Sequence, residues 1–226
     1  MATLSDAIEI YKYYRCHAFL VGVNNVVCLY KDRKFVFDKR VADYVIYGSH
    51  QNRTVKRVGY FNYKRETLEP AEDSLCSPDI TKMIFSDFDD LFIEVKRRLK
   101  GIKNIRDLTY YDAALRIGFL MGLFPKQYVY LYAGAWEGLK KLKKYDPTLF
   151  LSKPDPFTKN GKHDISHFRS AFGSMESMFI EDFLCVFDRE LGNLGACTKE
   201  DLLKRMEFHG TQKKIKDCFT YNYDIK

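Results

Sequence analysis

The sequence predicts a mainly α-helical protein (α+β) with a small antiparallel β element in its N-terminal third. Apolar residues recur at helical spacing from about residue 80 onward, and several Ser or Thr residues stand three positions before an Asp, as at helix starts. Short β-prone runs lie before residue 65. Hydrophobic residues make up 46% of the 226 positions and charged residues 30%, which excludes a disordered or fibrous chain.

The first 79 residues combine one helix with short β-prone runs. Thr3 and Asp6 are spaced as a capping pair, which predicts a helix over residues 3–15. The β-prone runs have the spacing of small hairpins and comprise Ala18–Val23, Val26–Tyr30, Lys34–Phe37 and Val58–Tyr63. Residues 41–47 fit either a helix or a strand. Residues 66–79 contain two prolines and several acids, so we expect a connection there.

Residues 80–210 are predicted to be helical. Capping pairs open three of these helices, namely Ser86 with Asp89, Thr109 with Asp112, and Thr198 with Asp201. Gly101 and Gly122 are placed to end the first two. The predicted helices span 86–99, 109–122, 126–144, 174–191 and a segment from 198, with a loop at 151–162 and a tail at 211–226. We expect a single domain over 1–226, with a possible subdivision after residue 79.

Glycines recur within two of the predicted helices. Gly118 and Gly122 stand four apart, as do Gly134 and Gly138, and each interior glycine costs about 1 kcal/mol relative to alanine. Close approach of these two consecutive helices in an antiparallel hairpin is the simplest explanation. Two alternatives are a ligand that contacts bare backbone and a helix-ending role for Gly122 alone.

The cations are concentrated in two blocks of a chain whose net charge is +7. Residues 44–65 hold five cations and residues 95–106 hold six, and neither block contains an acid. The intervening residues 66–94 hold nine acids and one lysine. Either these acids neutralise the two blocks, or the blocks form a surface for a polyanion such as DNA or RNA.

The first basic block alternates cations with aromatic residues. A groove of this composition binds single strands, with about 1–3 kcal/mol from each base that stacks on an aromatic ring. The alternative is an edge strand whose cations are solvated and deter edge-to-edge pairing. The candidate nucleic-acid-binding residues here are Arg53, Lys56, Arg57, Tyr60, Tyr63, Lys64 and Arg65.

The second basic block lies at a turn between two predicted helices. Its candidate residues are Lys96, Arg97, Arg98, Lys100, Gly101, Lys103 and Arg106. This segment resembles the helix–hairpin–helix element over about 25 residues, which implies phosphate binding by backbone N–H groups of Gly101 and Ile102. Lys103 occupies the position where that family usually has a second glycine, so an ordinary interhelical turn is the alternative.

An enzyme with an unfamiliar site is a second class of function. Its candidate catalytic residues are Asp112, Arg116 and Glu181, although a helix cap explains Asp112 and a structural salt bridge explains Glu181. His163 and His167 have ligand spacing, but a third ligand is not evident, so we predict no metal and no cofactor. The nucleotide-binding and hydrolase motifs with known mechanisms do not occur in the sequence.

Cysteine usage and hydropathy bear on the compartment. The six cysteines include no C-x-x-C pair, which is typical of reduced thiols. Residues 1–14 lack an uninterrupted apolar core, and no run approaches the roughly 20 apolar residues of a membrane span. We therefore expect a cytoplasmic protein without a membrane span. The 16 Tyr and 18 Phe leave open a third function, a protein-interaction or assembly module, and the oligomeric state is not predicted.

Overall fold

The computed structural model describes residues 1–12, 26–47, 65–150 and 156–209. The chain divides into two compact units. The first unit comprises Met1–Val21 and Lys126–Lys226, and the second unit comprises Gly22–Pro125. Residues on both sides of position 79 belong to the second unit, so these boundaries differ from the expected subdivision.

Helices account for most of the described chain, which confirms the mainly α class. The helices in chain order are α1 (Leu4–Ile10), α2 (26–32), α3 (Lys39–Tyr47), α4 (Arg65–Cys76), α5 (Phe88–Leu99), α6 (Asp107–Met121), α7 (Ala133–Tyr145), α8 (Arg169–Phe172), α9 (Ser177–Val186), α10 (Asp188–Leu191) and α11 (Lys199–His209). Short 3-10 helices occur at Ile80–Lys82, Pro147–Phe150 and Ile165–Phe168. The strands are β1 (Tyr128–Tyr130) and β2 (Lys162–Asp164).

In the second unit, α5 packs against α6, and α3 packs against both α4 and α6. The apolar residues that recur at helical spacing in α5 are buried and comprise Phe88, Leu91, Phe92, Val95 and Leu99. Tyr111 of α6 meets the rings of Phe88 and Phe92 edge-on, with centroid distances of 6.0 and 6.4 Å. The periodic apolar pattern thus predicted the buried face of α5 correctly.

Two segments of the second unit differ from the sequence prediction by being helical. The run Val26–Tyr30, predicted as a strand, belongs to α2. Residues 66–79, predicted as a connection, mostly form α4, where Ala71 and Leu75 stand one turn apart and are buried. Pro70 lies inside this helix and removes one backbone hydrogen bond, which the packing of the buried face outweighs. Tertiary burial overrides local propensity at both places.

The antiparallel sheet lies in the first unit and not in the N-terminal third. Strands β1 and β2 pair with Val129 opposite His163, and the carbonyl of Gln127 accepts from the N–H of Ile165 at 2.8 Å. The helix predicted over 126–144 therefore begins only at Ala133. Val129 is buried, as suits a β-prone residue between a proline and a helix start.

The other β-prone runs of the N-terminal third do not supply a strand in the described residues. The run Lys34–Phe37 forms a turn and an irregular link between α2 and α3, and Lys34 and Phe35 have φ of 55° and 61°. Such left-handed backbone is incompatible with an extended strand. The runs predicted at 18–23 and 58–63 lie outside the described residues.

Contrary to the prediction from the sequence, the two glycine pairs do not bring their own two helices together. Gly134 and Gly138 of α7 face α9, where a Cβ at Gly138 would lie 2.0 Å from the carbonyl oxygen of Leu184. A Cβ at Gly118 would instead lie 2.3 Å from the carbonyl oxygen of Leu123, as the chain turns back after α6. Gly122 ends α6 with φ +72°. The close approach is thus between α7 and α9, which lie far apart in sequence.

The helix starts confirm two of the capping predictions. Thr3 and Asp6 form a complete capping box at α1, and the hydroxyl of Thr198 donates to Asp201 at 2.7 Å at α11. At α5 the cap is displaced by one residue, because Asp87 accepts from the N–H of Asp90 at 3.0 Å. The predicted helix over 174–191 divides at Phe187 into α9 and α10.

An aromatic cluster forms part of the core of the first unit. The rings of Phe183 and Phe187 stack at 4.8 Å, and Tyr11 meets both rings edge-on. The hydroxyl of Tyr11 donates to the carboxylate of Asp182 at 2.8 Å. Tyr11 therefore contributes both an apolar ring and a satisfied polar group to the packing of α9. None of the helices in the described ranges is both long and apolar enough to cross a bilayer.

Replacing Gly138 by alanine tests the contact between α7 and α9. The new methyl group would overlap the carbonyl of Leu184, so we expect Gly138→Ala to lower the free energy of unfolding by about 1–3 kcal/mol. Gly192→Ala is the control, since a Cβ there has no neighbour closer than 3.4 Å and φ is −70°. Urea unfolding measures both variants, and equal stability of the two would contradict the assigned contact.

Candidate polyanion-binding surface

The second basic block occupies the end of α5, the turn at 100–106 and the start of α6. Asp87 caps α5, Asp89 and Asp90 follow in its first turn, and three cations occupy its last turn. Acids at the N-terminus and cations at the C-terminus both stabilise a helix through its dipole. The acids just before the second basic block and the first cations of that block therefore have a structural explanation, because they stabilise the two ends of α5.

Lys96 is half-buried and Arg97 is exposed, and both form ion pairs. The Nζ of Lys96 lies 3.1 Å from a carboxylate oxygen of Asp107, and 45% of its side chain is exposed. Arg97 donates two hydrogen bonds of 2.7 Å to the carboxylate of Glu94. A pair such as that of Lys96 with Asp107 contributes about 0–1 kcal/mol to stability, so a phosphate can compete for Lys96. The Glu94 carboxylate is only 13% exposed and holds Arg97 more firmly.

Arg98 points into the protein. Only 3% of its side chain is exposed, and Nε donates to Glu94 at 2.8 Å. Its Nη atoms donate to the carbonyl oxygens of Ser74, Leu75 and Pro78 and contact the sulfur of Met83. The prediction that Arg98 contacts nucleic acid therefore does not hold, because its guanidinium satisfies carbonyls at the end of α4.

Glu94 is the common partner of the two adjacent arginines. Hydrogen bonds from Arg97 and Arg98 lower the pKa of its carboxyl from 4.5 to about 2, although partial burial opposes the shift. Glu94 lies three and four residues before these arginines, which is the spacing of neighbouring positions on one helix face. The sequence alone therefore contained the signal for both ion pairs, Glu94 with Arg97 and Glu94 with Arg98.

Three cations of the turn remain available. Lys100, Lys103 and Arg106 are exposed, and none of them forms an ion pair with any residue that the structure describes. We call these three residues the turn cations. The acids of residues 66–94 do not neutralise them within the described part of the chain.

The backbone of the turn is compact. Gly101 has φ +89°, the conformation that favours glycine, and Asn104 has φ +68°. Ile105 is buried and fixes the far side of the turn. The N–H of Ile102 donates to the carbonyl of Leu99 at 3.3 Å. The hairpin resemblance implied two phosphate-binding N–H groups, and the group at Ile102 is therefore already engaged.

Of the candidate residues in the first basic block, only Arg65 lies within the described residues. Arg53, Lys56, Arg57, Tyr60, Tyr63 and Lys64 lie outside the described residues. Arg65 begins α4. Whether the two blocks form one surface therefore stays a prediction.

The candidate catalytic residues have structural contacts. Asp112 lies within α6, which starts at Asp107, so it does not cap the helix. It pairs with Arg116 at 3.7 Å, and Arg116 donates to the carbonyl of Val45 at 2.6 Å, which joins α6 to α3. Surrounding protein raises the pKa of the Asp112 carboxyl, but 41% of its side chain is exposed, so solvent limits this effect. Glu181 is buried on α9 in the other unit.

Cys76, His163 and His167 lie in surroundings that give them structural roles. Burial and nearby carboxylates raise the pKa of the Cys76 thiol to about 11, so it is protonated at neutral pH. His163 is on β2, where Nε2 lies 3.0 Å from the carbonyl of Thr158, and His167 is in a 3-10 helix. Among the described residues, no group of three or more His, Cys, Asp or Glu side chains is arranged to hold a metal ion.

Comparison with known proteins adds no relative. No protein-family model, curated protein or solved structure matches this chain.

The titration of Glu94 predicts a pH dependence of stability. A carboxyl whose folded pKa is about 2 and whose ordinary pKa is 4.5 stabilises the fold above pH 4.5. This contribution is lost as the pH falls through about 2. Glu94→Gln removes it, so we expect the variant to be less stable than the natural chain at pH 7, by on the order of 2 kcal/mol.

Urea unfolding at several pH values measures this difference. The stability gap between the natural chain and Glu94→Gln should narrow as the pH falls from about 4.5 to about 2. Glu200→Gln is the control, because that carboxylate pairs with Lys204 one turn further along its helix and both side chains are mostly exposed. A gap for Glu94→Gln that does not change with pH would contradict the assigned pairing.

Proposed function

We propose that the protein is a non-catalytic binder of polyanions, nucleic acid in the first place, and that the turn cations contact phosphate. The observation that carries the proposal is the exposure of Lys100, Lys103 and Arg106 within seven residues without ion pairs in the described chain. Their positive potential is therefore directed to solvent and attracts an anionic partner.

The neighbouring cations extend this potential. Lys96 and Arg97 lie in the last turn of α5, directly before the turn cations, and their partners Asp107 and Glu94 are on the same two helices. The partly exposed pair of Lys96 with Asp107 exchanges its carboxylate for a phosphate at little cost. Arg97, whose side chain is 68% exposed, adds positive charge while it stays paired with Glu94. Arg98 is excluded, because exposing it would leave the α4 carbonyls without donors.

The start of α6 favours the same ligand. Arg106 is the N-cap residue, and within the described chain no side chain caps the helix at this end. The first N–H groups of a helix and its dipole favour an anion. Asp107 opposes this in the first turn, and Lys96 partly neutralises Asp107.

The proposal predicts a weak, salt-dependent affinity with little sequence preference. Phosphate contacts release counterions, while sequence is read by contacts to base edges. Cys76 and Cys197 are free thiols, which is compatible with a reducing compartment. We place the activity in the cytoplasm as part of this proposal.

Removal of the turn cations is the direct test. We expect K100Q/K103Q/R106Q to weaken binding to a labelled duplex and to reduce the slope of log affinity against log salt by about 2–3, at roughly 0.9 per lost phosphate contact. Fluorescence anisotropy at several salt concentrations measures both quantities. The charge-matched control is K12Q/K126Q/R205Q, whose three cations are exposed in the first unit.

Two results would count against the proposal. One is the absence of binding to DNA or RNA at low salt by the natural chain. The other is an equal loss of affinity and of salt slope in K100Q/K103Q/R106Q and in the control, since net charge alone would then explain binding.

Exposed apolar side chains favour assembly as a second candidate function. Ile84 is 98% exposed, and Phe35 and Ile93 are each 62% exposed, all in the second unit. A large apolar side chain that stays exposed can be covered by a second copy of the chain. If the protein self-associates through them, sedimentation should show a concentration-dependent rise in mass that I84K/I93K abolishes. A strict monomer at high concentration would contradict this candidate.

A further inference from the structure

Helix α7 carries a second group of cations, in the first unit. Its last two turns contain Lys140, Lys141, Lys143 and Lys144. The buried residues Ala135, Gly138, Leu139 and Leu142 direct one side of the helix to the core. Lys140 and Lys144 are one turn apart on the opposite side and are exposed.

The segment 157–161 lies beside this helix. The Nζ of Lys143 is 5.4 Å from the ring centroid of Phe157, and the N–H of Asn160 donates to the carbonyl of Leu131 at 3.0 Å. The segment therefore extends along α7 from near residue 143 towards its N-terminus. This brings the exposed Lys159 to the same surface. A hydrogen bond from Lys140 lowers the pKa of the Glu137 carboxyl on that surface, and the charges of Lys140, Lys159 and Lys141 lower it further.

The charges of this surface are poorly balanced. Lys140 pairs with Glu137 at 2.7 Å, and Lys141 pairs with Asp188 of α10 at 3.7 Å. Lys144 and Lys159 form no ion pair with any residue in the described ranges. A surface with four lysines, two of which lack an ion pair within the described ranges, attracts anions.

Trp136 adds an aromatic group to the lysines. It is the single tryptophan of the chain, is half-buried against the core, and stands one and two turns before Lys140 and Lys143. An indole at the edge of a cationic surface can stack with a base, while lysines on either side contact the phosphates.

We propose that Lys140, Lys143, Lys144, Lys159 and Trp136 form a second nucleic-acid-binding surface, which takes single strands, with phosphates at the lysines and a base on the indole. This surface shares its ligand class with the turn cations but rests on different residues in the other unit. A lipid surface fits less well. The apolar side chains of α7 are buried in the core, so only Trp136 is placed to enter a bilayer.

The tryptophan supplies a local readout of the test. A single-stranded oligonucleotide is titrated into the full chain, and Trp136 emission and the anisotropy of a labelled strand are followed together. We expect the emission to change on binding and the change to diminish with salt. K140Q/K143Q/K144Q/K159Q should weaken binding roughly tenfold or more and reduce the salt slope by about 2–3, at roughly 0.7 per contact with a single strand.

Two variants separate this surface from the other features of the chain. Lys141→Gln removes a lysine of α7 that pairs with Asp188 of α10, so it should leave the affinity and the emission change nearly unaltered. K100Q/K103Q/R106Q should lose binding at the turn cations but retain the Trp136 response. The test of the second surface is therefore independent of the test of the turn cations.

The proposal is overturned by any of three results. The first is an emission response and affinity that survive in K140Q/K143Q/K144Q/K159Q, once thermal unfolding shows that this variant is folded. The second is an equal effect of Lys141→Gln and the multiple variant on the salt slope per charge removed. The third is a Trp136 response to vesicles containing anionic lipid in the absence of any response to the oligonucleotide.

Discussion

The guanidinium of Arg98 lies inside the second unit, where it donates hydrogen bonds to carbonyls that α4 cannot satisfy by itself. The last carbonyls of a helix have no intrahelical donor, and those of Ser74 and Leu75 receive theirs from Arg98. Glu94 balances the buried charge at 2.8 Å, and the hydroxyl of Ser74 donates back to the carbonyl of Arg98 at 2.7 Å. A buried charge that loses its partner is strongly destabilising, so this network fixes α5 against the end of α4.

This constraint divides one basic block into two roles. Residues 95–106 look uniform in the sequence, yet Arg98 faces the interior while Lys100, Lys103 and Arg106 face solvent. Gly101 follows α5 with φ +89°, so the cations after it leave the helix surface. The proposed binding surface therefore consists of the cations of this block that make no structural contacts in the described chain. On α7, the ion pair of Lys141 with Asp188 separates that lysine from the proposed second surface in the same way.

The parts of the fold that were predictable depend on local interactions. The capping box at Thr3, the buried face of α5 and the helix ends at Gly101 and Gly122 involve residues within a few positions of each other. The contact of Gly138 with Leu184, and the pairing of β1 with β2, join segments that are far apart in sequence. No local pattern identifies such partners. The inward orientation of Arg98 has the same origin, because its acceptors lie some twenty residues earlier in the chain.

The state of the Arg98 guanidinium is therefore the most direct test of this network. Nitrogen–proton NMR spectra of the natural chain, compared with those of Arg98→Lys, identify the Nε and Nη signals of this residue. The hydrogen bonds to Glu94 and to the α4 carbonyls predict resolved Nη signals whose protons exchange with water far more slowly than those of the exposed Arg106. If the Arg98 protons exchange with water as fast as those of Arg106, the proposed hydrogen-bond network of Arg98 is contradicted.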